Sequence, residues 1–243
     1  MTGRSCLVVF DCGEGQTEEA RKRMVREMAP LVAHVYCTLE DNDVIVQFAS
    51  SCLVEKDLFK VFKDSTAEHE AGKIGNGVAA SDVEASLRRF VGDDKACTRL
   101  WRSIALDRAV LLKGISFDGV ILLGDTYTGL QGSKKLEDIV GAMYRLGRVV
   151  ASFGKCSAIV ANTLANVSRR AHHKQIEFSH TTEVFSEDER GNIAPGVIKP
   201  SWNEACKDAN VITASATKSR SIQEGCVLLK DAIDTYEEEA KRL

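Results

Sequence analysis

Ser5-Cys6-Leu7-Val8-Val9-Phe10-Asp11-Cys12-Gly13-Glu14-Gly15-Gln16-Thr17 opens the chain with five consecutive apolar residues, Cys6 to Phe10, then an acid and a glycine-rich corner. A short apolar run before turn residues reads as a strand over 5–11, with the turn over 13–17. Glu18 to Met28 carries good helix formers, and Thr17 is placed as its N-cap. Strand, glycine turn and helix in that order form the arrangement in which backbone N–H groups can face a bound anion.

Beyond that helix, Leu31–Cys37 and Val44–Phe48 read as buried strands on either side of the polar corner Glu40-Asp41-Asn42-Asp43. A helical stretch over 54–63 and a glycine-dense loop over 71–77 come next. A long helical region then runs from Ser81 to about Leu112, broken at Gly92-Asp93-Asp94. Gly119-Val120-Ile121-Leu122-Leu123-Gly124-Asp125 is the strongest strand, and apolar residues at 136, 139, 140, 143, 146, 149 and 150 mark a helix. Ser157–Asn162 reads as a further strand, followed by about 35 residues without a convincing element. Val211–Ala214 and Cys226–Leu229 read as closing strands about a turn at 218–221, ahead of a charged tail over 234–242. This alternation predicts an α/β fold with a mainly parallel sheet, a single domain over 1–243, and a ligand edge at the carboxyl ends of the strands.

Composition narrows the function classes. The chain has 243 residues, 44% hydrophobic and 28% charged, with only three prolines, which excludes a disordered or fibrous protein. With 32 Lys+Arg against 35 Asp+Glu the net charge is −3, so any contact with nucleic acid must come from a local patch. The first apolar run is too short for a signal sequence, and no stretch is long and apolar enough to span a membrane. Eight cysteines without a C-x-x-C pair read as reduced thiols, which points to cytosol or nucleus. His172, His173 and His180 with Cys156 or Cys206 lack a metal-ligand spacing, so no metal is expected.

Two motifs invite comparison with nucleotide sites. Against the phosphate-loop pattern G-x-x-x-x-G-K-[ST], residues 10–17 keep Gly15 and Thr17, but Phe10 replaces the first glycine and Gln16 the lysine. A glutamine offers the phosphates only a neutral hydrogen bond, so the turn reads either as nucleotide-free or as a residual nucleotide site. Asp125 ends an apolar strand, as a magnesium-holding Asp does in such ATPases, or simply caps the next segment.

From Gly119 to Lys174 the chain resembles the core of the RecA-type strand-exchange recombinases. The features that carry the resemblance are the strand ending in Asp125, a short loop, a long amphipathic helix, the corner Ser152-Phe153-Gly154 and the stretch Ala161-Asn162-Thr163. More loosely, Tyr36-Cys37-Thr38-Leu39-Glu40 is similar to the strand whose Glu activates water in that family. Lys199-Pro200 with Thr213 to Lys218 is similar to its closing hairpin. The resemblance implies a RecA-like P-loop core without a separate N-terminal DNA-binding domain. It also implies vestigial catalysis at Glu40, and nucleotide and magnesium contacts, if retained, at Gly13, Gly15, Gln16, Thr17, Asp125 and Asn162.

With the phosphate lysine absent, the resemblance implies a paralogue that is not an enzyme. Such a chain would act in the nucleus in DNA double-strand break repair by homologous recombination, pairing with another paralogue and engaging the recombinase filament on single-stranded DNA. ATP and magnesium would enter only through a composite site between protomers. Lys134, Lys135, Arg169, Arg170 and Lys174 are the candidate DNA contacts, the first two in a loop that reads equally well as a solvated turn capped by Ser133. The segment 165–175 holds three cations and no acid, while 183–190 holds four acids and one Arg, so this region reads as a DNA-contacting stem with an acidic tip or as a solvated loop. The alternatives are a slow ATPase or small P-loop phosphotransferase using Thr17, Glu40 and Asp125, and a structural subunit without DNA contact.

Overall fold

The computed structural model describes residues 4–13, 15–51, 54–70, 80–111, 116–124, 130, 132–168, 176–179, 198–201, 205–216 and 218–242. Its strands are β1 (Ser5–Phe10), β2 (Ile45–Ser50), β3 (Ile104–Ala105), β4 (Gly119–Leu123), β5 (Val149–Phe153), β6 (Ile176–Ser179), β7 (Ile198–Ser201), β8 (Ala205–Asp208) and β9 (Val211–Ala214). The helices are α1 (Glu18–Asp41), α2 (Lys56–Glu70), α3 (Ala80–Gly92), α4 (Asp94–Trp101), α5 (Leu106–Leu111), α6 (Lys134–Arg145), α7 (Ser157–Ser168) and α8 (Ser219–Arg242).

Seven strands form one sheet in the order β3-β2-β1-β4-β5-β9-β8, and β6 pairs with β7 separately. All pairings in the large sheet are parallel except the β8–β9 hairpin. The α/β fold with a mainly parallel sheet flanked by helices is therefore as expected.

The sheet is covered on both faces. Val8, Phe10, Phe48, Ile121 and Phe153 point to one face and pack beneath α1, α2, α3, α4 and α8. Leu7, Val9, Val120, Leu122 and Val150 point to the other, beneath α5, α6 and α7. This alternation is the period-2 geometry of a strand, and burial on both faces is why the strands read as unbroken apolar runs. The first face has an aromatic centre, with Tyr36 stacked on Phe48 at 5.9 Å and Phe90 edge-on to Tyr36 at 5.0 Å.

Three assignments change. Residues 31–37 are not a strand but the second half of α1, which continues through Pro30. Met24, Val25, Met28, Ala29, Val32, Ala33, Tyr36 and Leu39 are buried at the three-and-four spacing of one helix face, and that burial outweighs the defect at Pro30. Ser157–Asn162 belongs to α7, and the strand before it is Val149–Phe153, which the apolar stripe draws into the preceding helix. Cys226–Leu229 lies inside α8, which also absorbs residues 219–221 of the expected turn and the charged tail. Each error is a short apolar run whose periodicity does not separate a buried strand from a buried helix.

Among the described residues, no helix is long and apolar enough to cross a membrane.

Candidate active site at the carboxyl edge of the sheet

In a doubly wound sheet the ligand crevice opens where the strand order reverses, at the carboxyl ends. Here β2 leaves β1 on one side and β4 joins it on the other, so the reversal lies between β1 and β4. The register places Phe10 level with Ser50 and Leu123, Leu123 level with Phe153, and Phe153 level with Ala214. One step further, the rim runs Ser51, Asp11, Gly124, Gly154, Ser215. It is a line of small residues around one carboxylate.

That carboxylate is fully buried. Asp11 Oδ1 accepts the Gly13 N–H at 2.8 Å and the Ser51 hydroxyl at 2.8 Å, while Ser51 Oγ accepts the Cys12 N–H at 3.0 Å. Donors that favour the ionised form offset part of the cost of burying it. Gly13 holds a left-handed conformation, φ 73°, and a Cβ there would stand 3.0 Å from Met24 Sδ and 3.1 Å from Arg21 Cγ. The corner therefore requires glycine for both its backbone angle and its close approach to α1.

Two strands away, β5 breaks sharply into a 3₁₀ turn over Gly154–Cys156 and then into α7. Gly154 sits at φ 81°. Gly124 N–H donates to the Phe153 carbonyl and Cys156 N–H to the Gly124 carbonyl, each at 3.2 Å, which ties the elbow to the end of β4. Behind it, Ser152 and Ser157 share a hydrogen bond of 2.9 Å. Ser215 is fixed by its N–H, which donates to Ser221 Oγ in the first turn of α8 at 2.9 Å.

The residues singled out from sequence fall apart in space. Gly13 lies at the rim, and Thr17 caps α1 by accepting the Ala20 N–H. Gly15 and Gln16 are exposed, and Gln16 N–H closes the turn onto the Gly13 carbonyl. Glu40 is helical, near the end of α1 that leads into the amino end of β2, where it pairs with Arg89 at 3.1 Å. It cannot act at the rim. Asn162 is exposed on α7 rather than ending a strand.

Lys134 lies 3.9 Å from both Glu137 and Asp138, and Lys135 pairs with Asp107. Asp125, Arg169, Arg170 and Lys174 lie outside the described residues. Sequence reasoning misses Asp11, Ser51 and Gly154 as a set. Asp11 is legible only as the acid that closes the first apolar run. Among the described residues, no three His, Cys, Asp or Glu side chains are grouped to hold a metal ion.

No family model matches this sequence, and no curated protein matches it. Among solved structures, the chain is similar to the Rapid Encystment Protein of 24 kDa from Francisella tularensis, with 16% identity over 95% of this chain and 99% of that one and a TM-score of 0.59. Glyoxalase III from Candida albicans matches with 13% identity over 94% and 97% of the two chains, at a TM-score of 0.54. An isoprenoid biosynthesis protein with an amidotransferase-like domain from Ehrlichia chaffeensis matches with 12% identity over 95% and 99%, at 0.53.

These likenesses show the fold and overturn the recombinase resemblance. Two segments that it reads as strands, 157–162 in its core and the more loosely similar 36–40, are helical, and the P-loop core, the recombination role and the phosphotransferase alternative all fall. The expectation of a chain that is not an enzyme falls too. It rests on a missing phosphate lysine, which has no bearing on a sheet of this kind, and a neighbour over nearly the whole length carries an enzyme's name.

Proposed function

We propose that this chain is an enzyme of flavodoxin-like fold that carries out proton transfer on a small carbonyl compound at the carboxyl rim of its sheet. Counted without the two-residue β3 and the antiparallel edge strand β8, the parallel strands of the large sheet run in the order 2-1-3-4-5, the flavodoxin arrangement. The observation that carries the reading is the buried carboxylate of Asp11 at the point where the strand order reverses, oriented by Ser51 and Gly13. An isolated buried carboxylate is costly, and one fixed by a donor set at the strand reversal is placed to act as a base.

The glyoxalase III neighbour suggests an α-oxoaldehyde as the substrate to try first. Such a compound hydrates at its aldehyde carbon in water. Asp11 would take the proton from that carbon as the electron pair moves toward the adjacent carbonyl, giving an enetriol whose first carbon carries both hydroxyls. Returning the proton to the second carbon yields the α-hydroxy acid, so the net change is addition of one water. The scheme uses one base and needs no nucleophile.

The test is turnover of a panel of α-oxoaldehydes by the purified chain and by Asp11→Asn. General-base loss is expected to lower kcat by about 10² to 10⁴-fold. An Asp11→Asn protein as fast as the unaltered chain would refute the assignment.

A further inference from the structure

Away from the rim, three helices over the first face of the sheet bring together two serines, a histidine and a carboxylate. His34 is buried in the middle of α1. Its Nδ1 stands 2.8 Å from Ser86 Oγ of α3, and its Nε2 stands 3.1 Å from Oγ of Ser219, the first residue of α8. Ser219 Oγ in turn stands 3.4 Å from Asp82 Oδ2. Asp82 and Ser86 are four residues apart on α3, so they share the side that meets His34 and Ser219.

Chemistry fixes the direction of each bond. A carboxylate only accepts, so Ser219 donates to Asp82 and accepts from His34. The ring proton is then on Nε2, and Nδ1 turns its lone pair to the Ser86 hydroxyl. Hydroxyl, imidazole, hydroxyl and carboxylate form one chain in which each donates to the next. That is the order of a nucleophile, its base, and the groups that orient the base and stabilise the cation it becomes.

The surroundings suit this use. Ser86 is partly exposed and Asp82 exposed, so the chain begins at a hydroxyl that a small reagent reaches. Burial lowers the His34 pKa, which leaves the ring a neutral acceptor at neutral pH. Cys37, whose thiol donates to the Ser86 carbonyl at 3.5 Å, is the rival nucleophile at this place. Burial pushes its pKa up to about 11 and keeps it a thiol.

We infer that Ser86 is an activated nucleophile, a second reactive site that takes an acyl group from a small carboxylic ester with His34 as its base. Ser86 Oγ forms the bond to the acyl carbon and its proton passes to His34 Nδ1. The ester C–O bond breaks, and the leaving oxygen takes up that proton. Ser219 and Asp82 are positioning residues, which hold the ring and face its positive charge. The step makes no use of Asp11, so it stands or falls apart from the chemistry at the rim.

Diisopropyl fluorophosphate is the irreversible stand-in for the ester. Ser86 Oγ bonds to phosphorus, fluoride leaves, and the proton stays on His34 until water removes it. The purified chain is treated with this reagent at neutral pH, and modified peptides are identified by mass spectrometry. An adduct on Ser86 is expected, formed faster than on any other serine or tyrosine. His34→Gln keeps a hydrogen-bonding side chain but supplies no base, and should slow the modification by about 10²-fold. No adduct on Ser86 in the unaltered chain, or an undiminished rate in His34→Gln, would overturn the inference.

Folding of the variant is checked by circular dichroism, and the unaltered chain gives a second readout. With neutral His34 as base, the rate at Ser86 should rise with pH and level off by about pH 7, since the ring titrates below the ordinary His value of about 6.5. Asp82 of α3 is the charge that acts on the ring. Arg89 of α3 pairs with Glu40 and Asp41 of α1, and Arg220 of α8 with Glu224. Attack without that base follows hydroxide and climbs about tenfold per pH unit beyond pH 7. Such a climb at Ser86, with no plateau, would equally remove His34 as the base and overturn the assignment.

Discussion

Ser51 Oγ stands 2.8 Å from Asp11 Oδ1 and 3.0 Å from the backbone nitrogen of Cys12, so one hydroxyl donates to the carboxylate and accepts from the residue beside it. The end of β2 thereby holds the turn after β1. Ser51→Ala removes both bonds and leaves the Cys12 N–H and one lone pair of a buried carboxylate without that partner. The expected cost is about 1–3 kcal/mol, read by urea denaturation. Ser51→Thr keeps the hydroxyl and should recover most of it. Equal stability of Ser51→Ala and the unaltered chain would show that water replaces the hydroxyl there.

Gly225 in α8 lies against the side chain that precedes the elbow. A Cβ at 225 would stand 2.9 Å from Phe153 Cε1, 3.0 Å from Phe153 Cζ and 3.1 Å from Ala214 Cβ. Alanine favours a helix over glycine by about 1 kcal/mol, but overpacking a filled core costs about 1–3 kcal/mol. Gly225→Ala is therefore expected to destabilise the chain despite the better helix former. Combining it with Phe153→Leu, which clears the ring edge, should show favourable coupling in a double-mutant cycle. Strict additivity would mean that the contact is relieved elsewhere.

Much of the fold is legible in the sequence because β1, β2 and β4 are apolar runs bounded by turn residues or polar corners, and each is a strand as read. What misleads is burial on every side. Ser157–Asn162 and Val149–Phe153 are both short and mostly apolar, and one lies in a helix while the other is the strand. No local property separates them, since the choice is made by which of them completes the sheet beside β4.

The site is less legible than the fold. Asp11, Ser51, Gly124 and Gly154 come from four strand ends far apart in sequence, and only the register aligns them. The glycines of 13–17 read in sequence as a phosphate cradle. Gly13 is instead required where the backbone meets Arg21 and Met24.

Pro30 is the residue that makes α1 look like two elements. It sits in the middle of a 24-residue helix, where its ring removes one backbone hydrogen bond and crowds the preceding turn. The apolar face of α1 holds the helix together across this defect. Pro30→Ala restores the donor, and melting experiments should show stabilisation of about 1–3 kcal/mol. A fall in stability would mean that the proline ring packs a site that alanine leaves empty.

His34 gives the fold an acid-sensitive joint. It is buried in α1, with Nδ1 2.8 Å from Ser86 Oγ of α3 and Nε2 3.1 Å from Ser219 Oγ of α8. Ser219 Oγ lies 3.4 Å from Asp82 Oδ2 and donates to it, so it accepts from His34. This places the ring proton on Nε2 and leaves Nδ1 to accept from Ser86. Burial lowers the His34 pKa below its ordinary value, against smaller opposing effects from a hydrogen bond to the Ser219 backbone and from the Asp82 charge.

The folded chain therefore binds the proton less readily than the unfolded one, and stability falls with falling pH once the pH drops below about 6.5. The Asp234 carboxyl, held low by Arg4 and Lys230, loses its contribution only at lower pH, as it is protonated below the ordinary Asp value of 3.8. The two windows are separate. Urea midpoints measured at pH 7.5, 6.5 and 5.5 should fall across the series for the unaltered chain. For His34→Gln, which can bond both serines without titrating, they should stay nearly level over the same range. Parallel slopes in the two proteins would remove His34 as the source.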